Sequence, residues 1–213
     1  MRTTLLMTSA LIALGATGAA AQGPSAVRLR LEPGSEVSIE GTSSMHDFHC
    51  KTNKMNAYVD VDPGYTKDLT KVRRPIASVL VNIVVRTLKC GNTKMDENMY
   101  STLKTKDFQI ITYKLSGYDI LTGSSSAFAA STKGTLTVAG KDKNIDMKIN
   151  ASRLAEGKAT AEGEETLLMS DFGIKAPSFM FGTLKVGNEI KVKFTLKAGP
   201  EMIAQLAAAM NVR

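Results

Sequence analysis

The sequence predicts a mainly β chain that folds as an antiparallel barrel or sandwich with one or two short helices. Three observations predict it. Apolar and polar residues alternate with a period of two through most of the chain after Gln22. Clusters of Gly, Pro, Asn, Asp and Ser separate the alternating runs. Helical spacing is confined to two short stretches, Thr93–Leu103 and the segment after Pro200. The 213 residues fit one domain, and 43% hydrophobic against 22% charged residues is a globular composition.

The first element is a targeting segment. Arg2 precedes an apolar run, Leu5–Leu14; Gly15–Gly18 breaks it, and Ala19-Ala20-Ala21 supplies small residues before Gln22. That is the three-part layout of a secretory signal peptide over residues 1–21. The run is shorter than the roughly 18 apolar residues a spanning helix needs. Cleavage before Gln22 leaves 192 residues and a charge of +6, because Arg2 is the only charge lost. The mature chain is expected in an oxidising compartment, the periplasm or the extracellular space.

The barrel follows over residues 22–199. Strands are expected at Val27–Glu32, Glu36–Glu40, within His46–Val61, and at Ala77–Leu88, where Val79, Val81, Ile83 and Val85 share a face. Pro63–Pro75 reads as a loop. Thr93-Lys94-Met95-Asp96 resembles a capping box, after which Met95, Met99 and Leu103 form the stripe of a short amphipathic helix. Further strands are expected at Phe108–Leu115, Ala127–Ser131, Thr135–Val138, Asn144–Ala151 and Ala159–Leu168, with Gly117–Ser126 as a loop and Gly140–Asn144 as a turn. Asn188–Lys197 alternates most clearly: Ile190, Val192, Phe194 and Leu196 against Lys191, Lys193, Thr195 and Lys197. Residues 200–213 are expected to form a C-terminal helix packed on the barrel, with Pro200 in its first turn. A membrane barrel would turn its apolar face outward; lysines on the outer face make this an inward-facing, water-soluble barrel.

Three stretches carry a family resemblance. The first is Ser35–Ser43 with His46-Asp47-Phe48. The second is Asn92–Tyr100, continuing through Leu103 to Phe108, Ile110 and Tyr113. The third is Gly134–Gly140, then Asp171-Phe172-Gly173-Ile174 and the last alternating strand. In this order and spacing, over Val27–Lys197, they resemble the YceI-like family of exported lipid- or polyisoprenoid-binding proteins. The resemblance implies an eight-stranded lipocalin-like barrel around an apolar tunnel that binds a long amphiphile, which makes the chain a carrier and not an enzyme.

Several local patterns bear on chemistry. Cys50 and Cys90, an even pair in an oxidising compartment, are expected to form a disulfide. Two Cys exclude a four-thiolate metal or iron–sulfur site. Ser43, His46 and Asp47 hold the residue types of a hydrolase triad, but neighbouring strand residues diverge to opposite faces. His46 and His49 diverge in the same way, so neither a metal nor a cofactor is expected. Asp171-Phe172-Gly173 lacks the companion motifs of a kinase, and Glu162, Glu164 and Glu165 read as a solvated run. The lysines are spread over the surface. They suit solubility and transient contact with an anionic membrane surface, whereas 6% aromatics and no recognised motif argue against nucleic acid.

The tunnel lining is therefore expected to comprise Val81, Ile83 and Val85 from one strand and Phe108 and Ile110 from the next. Leu136, Val138, Met147 and Ile149 join them from the central hairpin, with Phe172 and Phe194 near the end. The expected ligand is a polyisoprenoid, quinone or fatty-acid-like lipid. The same alternation would serve an interaction module with a filled core, which is the alternative; a lipid-modifying enzyme would need convergent polar groups that the sequence does not assemble.

Overall fold

The computed structural model describes residues 26–66, 74–124, 126–179 and 183–200. In chain order the strands are β1 (Val27–Leu31), β2 (Glu36–Ser43), β3 (Phe48–Thr52), β4 (Met55–Val61) and β5 (Ile76–Val84). After the helix α1 (Thr93–Thr102) come β6 (Ile110–Gly123), β7 (Ala127–Val138), β8 (Lys141–Arg153), β9 (Ala159–Leu168), β10 (Ser178–Phe179) and β11 (Leu184–Pro200). Every pairing is antiparallel, and the sheet runs β1-β4-β5-β6-β7-β8-β9-β11 before β11 closes back on β1. The result is a closed eight-stranded up-and-down barrel; β3, which pairs with β2, is tied on its other side by the single Lys51–Lys89 bridge.

The first two staves of this barrel are each broken in two. β1 and β2 both lie along β11, at residues 198–200 and 186–195 respectively. β3 continues β2 as a hairpin, and β4 returns beside β1. Pro33 and Gly34 make the corner between β1 and β2, with Gly34 at φ +88°, a conformation open to glycine at no steric cost. Ser35 holds the corner: its hydroxyl donates to the carbonyl of Glu32 at 2.9 Å and accepts from the N–H of Lys197 at 2.9 Å.

Three apolar clusters fill the wall. Val37, Ala57, Val81, Ile83 and Leu88 form the largest. Leu29, Val61 and Ala198 close one end of the barrel wall, and Val138, Ala139, Phe172 and Ile174 close the other. The Cys50–Cys90 disulfide forms as the even cysteine count predicts, tying β3 to the segment that leads into α1.

The structure corrects four local expectations. The predicted loop at Gly117–Ser126 is mostly strand: β6 runs on to Gly123, with register shifts at 115/117, beside Ser116 and Gly117, and at 120/122. The predicted five-residue turn at Gly140–Asn144 shrinks to Ala139-Gly140, both at positive φ, with Val138 paired directly to Lys141. Asn92, not Thr93, caps α1, its side chain accepting from the N–H of Met95 at 3.1 Å. Asp96 instead accepts from the N–H of Cys90 at 2.7 Å and pairs with Lys89. Pro200 ends β11, paired with Leu29, and does not open a helix. The rest of the expected C-terminal helix, residues 201–213, and the expected signal peptide, residues 1–21, lie outside the described residues.

Candidate functional site

The barrel encloses a cavity of about 710 Å³. Alternation builds it, since each strand sends every second side chain inward. Val79, Val81 and Ile83 come from β5, Ile111, Tyr113 and Leu115 from β6, and Leu136 and Val138 from β7. Ile145, Met147, Ile149 and Ala151 follow from β8, and Ile190, Val192, Phe194 and Leu196 from β11. The helix α1 lies across one end and contributes Met95, Asn98, Met99 and Thr102. Ser43, His46, Asn92 and Lys94 give that end a polar rim.

Few groups on the barrel wall can hydrogen-bond. Thr132 is buried, and its hydroxyl donates to the carbonyl of Met147 at 3.2 Å. The Tyr113 ring lies over Gly134, where a Cβ would stand 2.5 Å from the ring carbons and from Oη. Only glycine permits that approach. The Tyr113 hydroxyl is buried and makes no hydrogen bond among the described residues. Burial pushes its phenol up from the usual value, and the Thr132 hydroxyl alongside offsets part of that. Tyr118 accepts from the Ile76 N–H at 3.0 Å and Thr160 bonds to Ser152 at 3.4 Å, while Glu165 is the acidic side chain among the described residues of the lining. Burial raises its carboxyl above the ordinary range, the Thr166 N–H partly restores it, and the negative charge of Asp146 raises it further.

Of the residues expected to line the tunnel, Val81, Ile83, Leu136, Val138, Met147, Ile149, Phe172 and Phe194 face the cavity. Three do not. β5 ends at Val84, so Val85 falls in a 3-10 turn, where it is buried in the wall. Ile110 opens β6 on the outward phase at 50% exposure, and Ile111 takes the inward one. One residue of phase moves a whole strand face to the other side. Phe108 precedes the strand and covers Gly140 of the β7–β8 turn from outside the cavity.

The inward tyrosine and glutamate went unread in the sequence although a signal existed for each. Tyr113 keeps phase with Ile111 and Leu115. Adjacent residues of a strand point to opposite faces, so in a barrel wall one of Glu164 and Glu165 points inward; Ala161 and Leu167 set that phase for Glu165. Glu164 is exposed, paired in register with Lys193 on one side and Lys148 on the other.

The other chemical patterns are dispersed. The His46 ring nitrogen Nδ1 lies 2.9 Å from the Asp47 carbonyl, while His49 stands opposite Glu40, 3.6 Å from its carboxylate. Ser43 donates to the backbone carbonyl of His46 and not to its ring. Among the described residues no three His, Cys, Asp or Glu side chains converge on a common point. Asp171 pairs with Lys143 at the surface and Phe172 is buried at the cavity wall. No helix among the described residues is long and apolar enough to cross a membrane.

Comparison with known proteins gives the same architecture. The profile of the YceI-like domain matches residues 31–198. No curated protein matches the sequence. Among solved structures, BcnA of Burkholderia cenocepacia is similar at a TM-score of 0.62 and 20% identity, over 76% of this chain and 95% of that one. A polyisoprenoid binding domain from Saccharophagus degradans, described as implicated in plant cell wall breakdown, is similar at a TM-score of 0.62 and 11% identity, over 83% and 99% of the two chains. A YceI protein of Campylobacter jejuni reaches a TM-score of 0.55 at 17% identity, over 71% and 84%. At these identities the structural likeness establishes the fold alone.

Proposed function

Because the chain belongs to the YceI-like family, we propose that it is an exported binding protein that sequesters or carries a long-chain amphiphile, polyisoprenoid, quinone or fatty-acid-like, inside its barrel. The observation that carries this reading is the apolar cavity of about 710 Å³, within the roughly 300–1,000 Å³ range of small-molecule sites. Burying ten methylene groups there is worth roughly 8 kcal/mol before entropy is charged against it. No strong polar contact is required for binding of that kind. The methionines at the cavity, Met95, Met99, Met147 and Met169, suit an adaptable lining. The polyisoprenoid binding domain among the similar structures adds support.

Export is supported by the layout of residues 1–21 and by the disulfide, which persists in an oxidising compartment. A binding role is favoured over catalysis because the Thr132 hydroxyl is committed to a backbone carbonyl, with no nucleophile–base pair among the described residues of the cavity. Exposed lysines on the outer wall, such as Lys141, Lys148 and Lys191, suit brief contact with an anionic membrane surface.

Native mass spectrometry of protein purified from its exporting host tests the proposal. A discrete adduct of lipid mass, identified after solvent extraction, is the expected result. Adduct-free protein that also refuses added polyprenols, quinones and fatty amphiphiles would overturn it and favour an interaction module.

A further inference from the structure

Most of the cavity wall is apolar, and outside one belt the polar side chains on its strands are paired: Tyr118 accepts from the Ile76 N–H at 3.0 Å, and Thr160 bonds to Ser152 at 3.4 Å. Thr132 pairs with Met147 across β7 and β8. Lys148 pairs with Glu164 across β8 and β9, so Met147 and Glu165 meet one step beyond that last rung. Glu165 in turn pairs with Val192 of β11. The Tyr113 ring reaches from β6 over Gly134 toward Thr132. A phenol, a hydroxyl and a carboxyl therefore stand at one level of the tunnel, with mostly apolar side chains on either side.

Within this belt Thr132 is satisfied by the Met147 carbonyl, but Tyr113 and Glu165 depart from what a structural role would need. A buried hydroxyl without a partner costs stability, and native proteins keep few of them. The Tyr113 hydroxyl makes no hydrogen bond of good geometry among the described residues, although the Thr132 hydroxyl lies alongside, and a phenylalanine would fill the same space without that cost. Tilting the ring off Gly134 would turn Oη into the lumen, where a hydrogen-bond acceptor would end its unpaired state. Glu165 likewise has no ion-pair partner among the described residues of the wall it shares with leucine, methionine and valine; its charged neighbour is the like-charged Asp146. An anionic ligand group beside it would set two carboxylates in a poorly solvated space, or force one to take up a proton. An ammonium would have to shed its hydration for a single carboxylate partner.

We infer that Tyr113, Thr132 and Glu165 form a polar station inside the tunnel, which selects amphiphiles carrying an uncharged carbonyl or hydroxyl group over those ending in a carboxylate or an ammonium. This rests on the tunnel-binding reading above and adds a specificity to it. The chain slides along hydrocarbon on either side, and the station fixes how far in the polar group sits.

The test is competitive displacement of diphenylhexatriene, an apolar fluorescent polyene, from the full-length mature protein at pH 7. The competitors share a sixteen-carbon chain: hexadecane, hexadecanol, methyl palmitate, palmitate and hexadecylamine. Hexadecanol and methyl palmitate should displace at about tenfold lower concentration than palmitate or hexadecylamine, the scale of one hydrogen bond. Tyr113→Phe should weaken the alcohol and ester by roughly the same factor and leave hexadecane unchanged, which also shows that the variant keeps its tunnel. Glu165→Gln should bring palmitate close to the ester. Equal displacement by all the polar probes, preferential binding of the ammonium, or a preference that survives both substitutions would overturn the station while leaving the tunnel intact. Failure of diphenylhexatriene itself to bind would instead remove the tunnel reading, and the station with it.

Discussion

Glu165 lies on a wall where charge is poorly solvated, and its titration gives that placement a measurable sign. Burial raises its carboxyl in the folded protein, Asp146 adds to the rise, and the Thr166 N–H opposes it. In the unfolded chain the group titrates near the ordinary value of about 4.3. The folded state therefore binds this proton more tightly than the unfolded state. The ionised carboxylate costs stability above the folded pKa, and that cost disappears as pH falls through the folded value toward the unfolded one. Glu165→Gln should melt higher than the parent protein at pH 7 to 8, and the two melting curves should converge by about pH 4. A difference that persists unchanged at pH 4 would mean that packing, not charge, distinguishes the variants. Outer-wall carboxylates behave in the opposite sense. Asp60 accepts both arms of the Arg28 guanidinium, at 2.7 and 2.9 Å, and a hydroxyl hydrogen bond from Ser78 at 2.7 Å. The Arg28 hydrogen bonds hold its carboxyl below the usual range despite partial burial, so its contribution is present at neutral pH and lost in acid.

At the scale of elements, α1 is held at its start more firmly than its sequence suggests. Asn92 caps it, Asp96 receives the Cys90 N–H, and the disulfide fastens Cys90 to Cys50 of β3. Lys51 and Lys89 also exchange backbone hydrogen bonds at 2.9 Å beside that disulfide. Closing a loop between residues 50 and 90 removes unfolded-state entropy worth ~4 kcal/mol at most. Replacing both cysteines with alanine should cost about 2–4 kcal/mol and lower Tm by roughly 5–15 °C, read by thermal unfolding with and without reductant. Reductant should leave the double variant's Tm unmoved. These elements also show where sequence patterns carry information and where they stop. Strands with clean alternation, β8, β9 and β11, were legible because period two and burial agree. Gly117 and Gly123 misled because a glycine in a strand marks a bulge or a strand end as readily as a loop. The phase of β6 is ambiguous at its start, where Phe108, Ile110 and Ile111 are all apolar; Tyr113 and Leu115 carry the inward phase only weakly, and pairing with β5 (Val84 with Ile110, Val81 with Tyr113), a contact between strands, fixes it. The polar belt was hidden for the same reason, since its members come from β6, β7 and β9.

For the whole molecule, the question is whether a closed ring of eight strands is filled or hollow, and alternation is the same in both cases. What separates them is the size of the inward side chains summed around the ring. Here small residues face inward on neighbouring strands: Ala151 pairs with Ala161 across β8 and β9, and Ala161 pairs with Leu196 of β11. The lumen stays open along that arc, and a ligand occupying it binds only the folded state. At a hundredfold excess over Kd, such a ligand adds about 2.7 kcal/mol to stability. For a domain of this size that amounts to a rise in Tm of roughly 5–10 °C. Ala161→Phe places a ring into the lumen from β9 and fills space where the ligand chain would lie. The variant should fold, since the ring enters open volume and not a packed interior, and its own Tm should stay within a few degrees of the parent protein's or exceed it. Its hexadecanol-induced rise in Tm should be lost. If the substitution unfolds the protein, the interior at Ala161 is packed; if the ligand-induced rise survives it, the amphiphile binds elsewhere than the barrel. Loss of the rise in a variant of undiminished stability assigns the binding energy to the lumen.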